Sequence, residues 1–173
     1  MAEQEVVFEE AQVADAQAFI DFMHQVADET EFLDVSGDEF TLSREDVEPI
    51  FASNLESLDQ LCLVAKIGSD IIGLASVKTE KPYRIGHIGT VFLAVKKAYW
   101  GYGLGRTLLE EVIKWAEFNQ VLGRLSLTVQ VRNKRAVQLY QSLGFEIEGV
   151  QKRGARTDKR EWLDLYYMGR MVE

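Results

Sequence analysis

Apolar positions along this 173-residue chain switch between two periods, and the switches mark out its elements. Val13, Ala16, Phe19, Ile20, Met23, Val26 and Ala27 recur every three or four residues, with Asp15, Asp21 and Asp28 on the wet side. That spacing predicts an amphipathic helix. Leu104, Leu108, Leu109, Val112, Ile113 and Ala116 repeat it, closed by Asn119 and Gly123. Residues 125–131 alternate strictly and predict a strand, as do 5–8, 61–67, 71–77, 87–95, 146–151 and 162–171. Gly68-Ser69-Asp70 reads as a hairpin turn. Ser43-Arg44-Glu45-Asp46 offers an N-cap for a helix to Asn54, and Asn133 opens another through Ala136, Val137, Tyr140 and Leu143. Residues 29–42 are acidic and irregular, broken at Gly37. The order β-α-α-β-β-β-α-β-α-β-β implies an α/β (α+β) chain with a mixed sheet, not a regularly alternating doubly wound one.

Chemistry enters between the 87–95 strand and the helix that starts near Leu104. The junction reads Trp100-Gly101-Tyr102-Gly103-Leu104-Gly105-Arg106. Alternating glycines remove the Cβ atoms that hold a ligand away from the backbone. The helix dipole adds positive potential where the freed N–H groups converge, so a ligand with several phosphate oxygens fits. No Gly-Lys-Ser/Thr closes the loop as a Walker A motif does. Arg106 and Leu108 stand where a dinucleotide fingerprint needs its third glycine. Taken alone, the loop is equally well a plain glycine-rich connection.

A second motif changes that. About thirty residues on comes Asn133-Lys134-Arg135-Ala136-Val137-Gln138-Leu139-Tyr140-Gln141-Ser142-Leu143-Gly144-Phe145. With the glycine loop before it, this stretch resembles the GNAT superfamily of acetyl-CoA-dependent N-acetyltransferases, best over residues 61–171. The resemblance implies a mostly antiparallel sheet of six to seven strands with one splayed parallel pair and about four helices. It implies that acetyl-CoA is the cosubstrate and that no metal is needed. It places the pyrophosphate on Trp100, Gly101, Tyr102, Gly103, Leu104, Gly105 and Arg106. It lays the pantetheine arm along the backbone of Phe92, Leu93, Ala94 and Val95, where a β-bulge would aim N–H groups at the thioester carbonyl. Asn133 and Ala136 contact the cofactor at the second helix. Tyr140 is the expected general acid, since a phenol (pKa ~10) can hand a proton to a departing thiolate (~8.5). The competing reading makes Tyr140 a core aromatic. Arg106 serves either a phosphate or the surface, and Lys96 and Lys97 serve either the adenosine phosphates or solvent. No acid lies in residues 87–95 to act as base; His87 and Thr90 stand nearest, with Glu29, Glu31 and Asp34 as alternatives through water.

Charge bears on the partner. Residues 1–60 carry seventeen acids and one base, Arg44, a net of −16, while the rest carries eleven acids and eighteen bases, a net of +7. The acidic part disfavours nucleic acid, and the basic part suits an anionic cofactor. If the acidic segment lines the acceptor side, it draws a cationic amine: a polyamine, an amino sugar, an amino acid or a protein N-terminus. A loop at residues 153–160 is expected to be mobile over that site. The length suits one domain, 1–173. No apolar run spans a bilayer and the N-terminus is acidic, so the expectation is a cytoplasmic protein without membrane contact. Cys62, the only cysteine, lies in an apolar run and is expected to be a buried small side chain. The resemblance also allows a homodimer. Rival readings are a non-catalytic acyl-CoA-binding regulatory module and, more distantly, an ATP-binding protein.

Overall fold

The computed structural model describes residues 4–173. In chain order it contains β1 (Val7–Glu10), α1 (Ala16–Glu29), α2 (Arg44–Leu55), β2 (Leu61–Ile67), β3 (Asp70–Lys78), β4 (Ile88–Val95), α3 (Leu104–Asn119), β5 (Arg124–Gln130), α4 (Lys134–Ser142), β6 (Glu146–Arg156) and β7 (Trp162–Met171). Three short 3₁₀ turns, Val13–Asp15, Gly37–Glu39 and Lys97–Tyr99, complete it. Local chemistry sets several boundaries. At α2 the Ser43 hydroxyl accepts the Asp46 N–H, and the Asp46 carboxylate accepts the Ser43 N–H at 2.9 Å, a reciprocal cap. Glu39 accepts the Ser36 N–H in the same way at the Gly37–Glu39 turn.

The seven strands form one sheet in the order β1-β2-β3-β4-β5-β7-β6, antiparallel throughout except for β4 and β5. The parallel pairing lasts for three residues: Ile88 with Arg124, Gly89 with Leu125 and Thr90 with Ser126. From Val91 onward β4 has no strand partner on that side, so the expected splayed pair is present. The expected bulge in β4 is not: β4 pairs with β3 in unbroken register from Thr90 to Val95. Early termination of the β5 pairing, not a bulge, frees the β4 backbone. The expected mobile loop at 153–160 is also corrected. β6 continues to Arg156, and the turn that follows is closed by Arg160 N–H to Thr157 O (2.9 Å) and Thr157 N–H to Glu161 O (2.9 Å).

Helices cover the two faces unequally. α3 and α4 pack Leu108, Leu109, Val112 and Tyr140 against Ile72, Val91, Leu125 and Leu127, a core that runs beneath β5 and β7 as well. α1 and α2 pack Phe22, Val26 and Phe51 against Val64, Leu74 and Ala94, and no residue of β5, β6 or β7 joins that cluster. Each fully buried side chain of this size contributes about 1.5–3 kcal/mol. The second face of β5-β7-β6 is thus left without a helix over it. Among the described residues no helix is long and apolar enough to cross a membrane. Cys62 is buried, and burial pushes its thiol up to about 12.

Candidate functional site

Where β4 and β5 part, the sheet opens into a cleft of about 1070 Å³, at the upper end for small-molecule sites. Its walls are residues 90–95 of β4 and 126–129 of β5, and the N-termini of α3 and α4 close one end. Phe92, Leu93, Ala94, Val95, Trp100, Gly101, Gly103, Leu104, Gly105, Arg106, Asn133, Ala136 and Tyr140 all line it. Of the cofactor-binding residues that the resemblance assigns, only Tyr102 does not; its side chain is 77% exposed.

The loop has the backbone that its glycines predicted. Gly101 and Gly103 sit at φ +87° and +80°, and a Cβ on Gly103 would meet nothing within 4 Å. Gly103 therefore serves conformation and open space, not packing. It is also the N-cap of α3 and provides no side-chain acceptor, so the first-turn N–H groups remain available. Trp100 is pinned across the end of β4: its indole N–H donates to Val95 O at 2.7 Å.

The second helix brings the cations. Asn133 caps α4 by accepting the Ala136 N–H at 3.3 Å. Lys134 and Arg135 follow, both lining the cleft and neither ion-paired among the described residues. The Arg135 guanidinium lies 6.0 Å from the Trp100 ring centroid, and its Nη2 is 3.7 Å from where a Cβ on Gly101 would sit. Cations in a first helical turn oppose the dipole, and a bound anion relieves them. Two helix N-termini, bare loop N–H groups and two unpaired cations therefore fit the diphosphate of coenzyme A, and the free edge of β4 fits its arm.

Other cations are spent elsewhere. Lys96 is only 8% exposed and pairs with Asp70 at 2.8 Å, which removes it from any phosphate role. Lys97 differs: only its backbone N–H is engaged, donating to Glu29 at 2.8 Å, and its exposed ammonium makes no ion pair among the described residues. Arg106 donates to Ser142 Oγ at 2.7 Å and lies 3.8 Å from Glu110, so its guanidinium is held on the helix surface.

Tyr140 is 8% exposed, its ring 5.9 Å from that of Phe145, and burial pushes its phenol up to about 12. Among the described residues, every fully buried side-chain N or O has a hydrogen-bond partner. Tyr140 Oη has none among the described residues, so it opens on the cleft.

The helix-free face carries a polar wall missing from the sequence-based set. Thr90, Ser126 and Thr128 alternate with the buried Val91, Leu127 and Val129, and Tyr167 and the Arg124–Glu148 ion pair stand beside them. The alternation of β5 was the available signal, since period two sends its hydroxyls to the face opposite its valines and leucines. Of the acids described in residues 4–60, only Asp34 lines the cleft. Others hold structure: Asp15 and Glu9 pair with Lys66 (2.7 and 2.9 Å), and Asp46 and Glu39 cap. His87 is absent from the cleft, its ring packed toward Gly123. Among the described residues no cluster of His, Cys, Asp and Glu is placed to hold a metal ion.

Comparison with known proteins agrees with this geometry. Residues 21–145 match the acetyltransferase (GNAT) family. The crystal structure of an acetyltransferase of that family from Streptococcus pneumoniae superposes with a TM-score of 0.94 at 39% identity, covering 97% of this chain and 100% of that one. The L-amino acid N-acetyltransferase AaaT of Escherichia coli is 32% identical over 109 residues, 63% of this chain and 67% of that protein. N-alpha-acetyltransferase 30 of Homo sapiens is 33% identical over 89 residues, 50% of this chain, which spans only 24% of that protein's length. With the splayed strands and the glycine loop, these matches establish that the chain belongs to the GNAT family of acetyltransferases and is an acetyl-CoA-dependent N-acetyltransferase.

Proposed function

We propose that this enzyme acetylates the free amine of a small molecule, with L-amino acids the first class to test. The observation that carries the reading is the cleft itself: a phosphate-binding end joined to a strand edge left unpaired at Val91, with a roofed polar wall beyond. The diphosphate rests on the N–H groups of residues 101–106, with Lys134 and Arg135 beside it, and the arm runs along residues 92–95. The thioester supplies the acyl group and a thiolate leaving group. Backbone N–H groups on the open edge of β4 polarise its carbonyl and the uncharged amine attacks to form the C–N bond. The C–S bond then breaks as Tyr140 Oη gives its proton to the sulfur, and the proton lost by the nitrogen passes to water, which restores the phenol.

The polar wall receives the acceptor. Asp34 offers an ammonium group an electrostatic partner, and the hydroxyls of Thr90, Thr128 and Tyr167 make no hydrogen bond among the described residues and are available to it. Polyamines and amino sugars lose the contact that the acidic segment was expected to give them, because Asp34 is its only described acid at the cleft. Acceptor KM should therefore change little with ionic strength. The Asp158 N–H, in the β6–β7 turn, donates to the Glu31 carboxylate at 3.0 Å, beside the cleft-lining residues 32–34; this contact supports a small amine over a protein N-terminus.

The test is thiol release from acetyl-CoA across free L-amino acids, a polyamine, an amino sugar and a short peptide with a free N-terminus. Turnover with amino acids is expected. Turnover with the peptide alone refutes the small-amine reading. Coenzyme A binding without turnover of any amine would favour the non-catalytic module.

A further inference from the structure

Glu31 ties three separate parts of the chain together. Its backbone carbonyl accepts the side-chain N–H of Gln130 at 2.7 Å, from the end of β5. One carboxylate oxygen accepts the Asp158 backbone N–H at 3.0 Å, in the β6–β7 turn. The other lies 3.6 Å from Arg132 Nη2. Gln130 is only 4% exposed, and its amide oxygen in turn accepts Arg132 Nε at 2.8 Å. The Arg132 guanidinium stands 5.5 Å from the Phe32 ring centroid. A buried amide thus spends its donor and its acceptor on one clasp, and leaving either unmade would be costly. The neighbours of Glu31 in sequence, Phe32, Leu33 and Asp34, line the cleft.

We propose that Glu31 determines acceptor size: by fastening residues 30–43 to the β6–β7 turn it closes the acceptor side to anything longer than a small amine. This rests on the small-amine reading above. Glu31 touches neither the glycine loop nor Tyr140, so it is a positioning residue, and breaking the clasp should alter acceptor choice while leaving the use of acetyl-CoA intact.

Two variants break the clasp from opposite sides. Glu31→Ala removes the carboxylate. Asp158→Pro removes the N–H donor at the second position of the turn closed by Arg160 N–H to Thr157 O, a place that accepts proline. Each is assayed for kcat/KM on a free amino acid and on a short peptide with a free N-terminus. Both should raise the peptide-to-amino-acid ratio by at least about tenfold, through a lower peptide KM, with the acetyl-CoA KM unchanged. Glu31→Gln keeps the backbone carbonyl and a side-chain acceptor for Asp158, and should hold the ratio near wild type. Amide hydrogen exchange at Asp158 gives a readout free of any acceptor: fast in Glu31→Ala, slow in wild type and Glu31→Gln. An unchanged ratio, or slow exchange at Asp158 in Glu31→Ala, overturns the clasp while wild-type turnover of amino acids stands. A wild-type enzyme that already prefers the peptide overturns the small-amine reading, and the selectivity role with it.

Discussion

Replacing Tyr140 by Phe removes one oxygen and its proton from the cleft while the ring stays beside Phe145. The hydroxyl has no partner among the described residues, so its loss orphans nothing there. Stability should change by less than about 0.5 kcal/mol, under about 2 °C in Tm. The rate should respond very differently. A hydrogen bond from Oη to the departing thiolate is charge-assisted and contributes ~1.5–3 kcal/mol, about 10- to 150-fold in rate. A positioned general acid contributes about 10²–10⁴-fold. Burial decides where in that range the effect falls. With the phenol pushed up to about 12 and an ordinary thiol near ~8.5, full proton transfer in the resting site runs uphill by ~5 kcal/mol. The lower part of the range follows: kcat falls roughly 10²-fold, with the acetyl-CoA KM within about threefold.

The pH dependence has a definite sign. The donating form of Tyr140 is populated below its pKa, and that pKa is raised, so this group depletes no activity between pH 7 and about 10. A disulfide reagent that reports free coenzyme A reads the rate cleanly, since Cys62 is the sole cysteine, buried, with its thiol likewise pushed up to about 12. A variant with kcat within about threefold of wild type would refute the argument and make Tyr140 a core aromatic only.

Three further outcomes follow from the same geometry. Gly103→Ala forces a Cβ onto a backbone at φ +80° in open space; it should cost about 1–2 kcal/mol in stability and weaken coenzyme A binding more than that strain alone explains, as calorimetric titration and melting would show. Arg135→Gln should raise the acetyl-CoA KM about tenfold or more. The same change should leave the ligand-free protein equally or more stable, because it removes a cation from the positive end of α4; a parallel loss of both would mean a packing role. Asp46→Asn tests the α2 cap. Hydrogen bonds from Ser43 hold the Asp46 carboxyl below the ordinary carboxylate range, so its stabilisation is present above that range and lost as pH falls through the lowered value. The wild-type Tm should therefore drop more steeply than the variant's between about pH 5 and 3, with kcat untouched at neutral pH.

Much of the fold was legible because helix and strand periodicity is local. The apolar spacing of residues 104–116 predicted α3, and β2, α3 and β7 fall on the expected residues. The C-terminal end of β6 was not legible: residues 153–156 are broken by Gly154 and lack strand periodicity, yet β7 pairs with Ala155 and Arg156 and extends the strand. Long cationic side chains were the least legible of all. Lys96 lies next in sequence to the phosphate loop's approach but reaches back to Asp70, while Arg135, unremarked in the sequence, comes over Trp100 from another helix.

What this sequence determined by itself is the set of elements, the glycine loop with its obligatory backbone, and the Asn133-to-Phe145 helix carrying Tyr140. Each follows from neighbours within a turn or two, where dihedral preference and apolar spacing decide. Only the tertiary structure decided that β4 and β5 part after Thr90, that Lys66 reaches Glu9 and Asp15, and that Glu31 meets Gln130 and Asp158. The Glu31 contacts join residues 99 and 127 positions apart. Their partners are selected by how whole layers pack, and no local pattern along the chain encodes that.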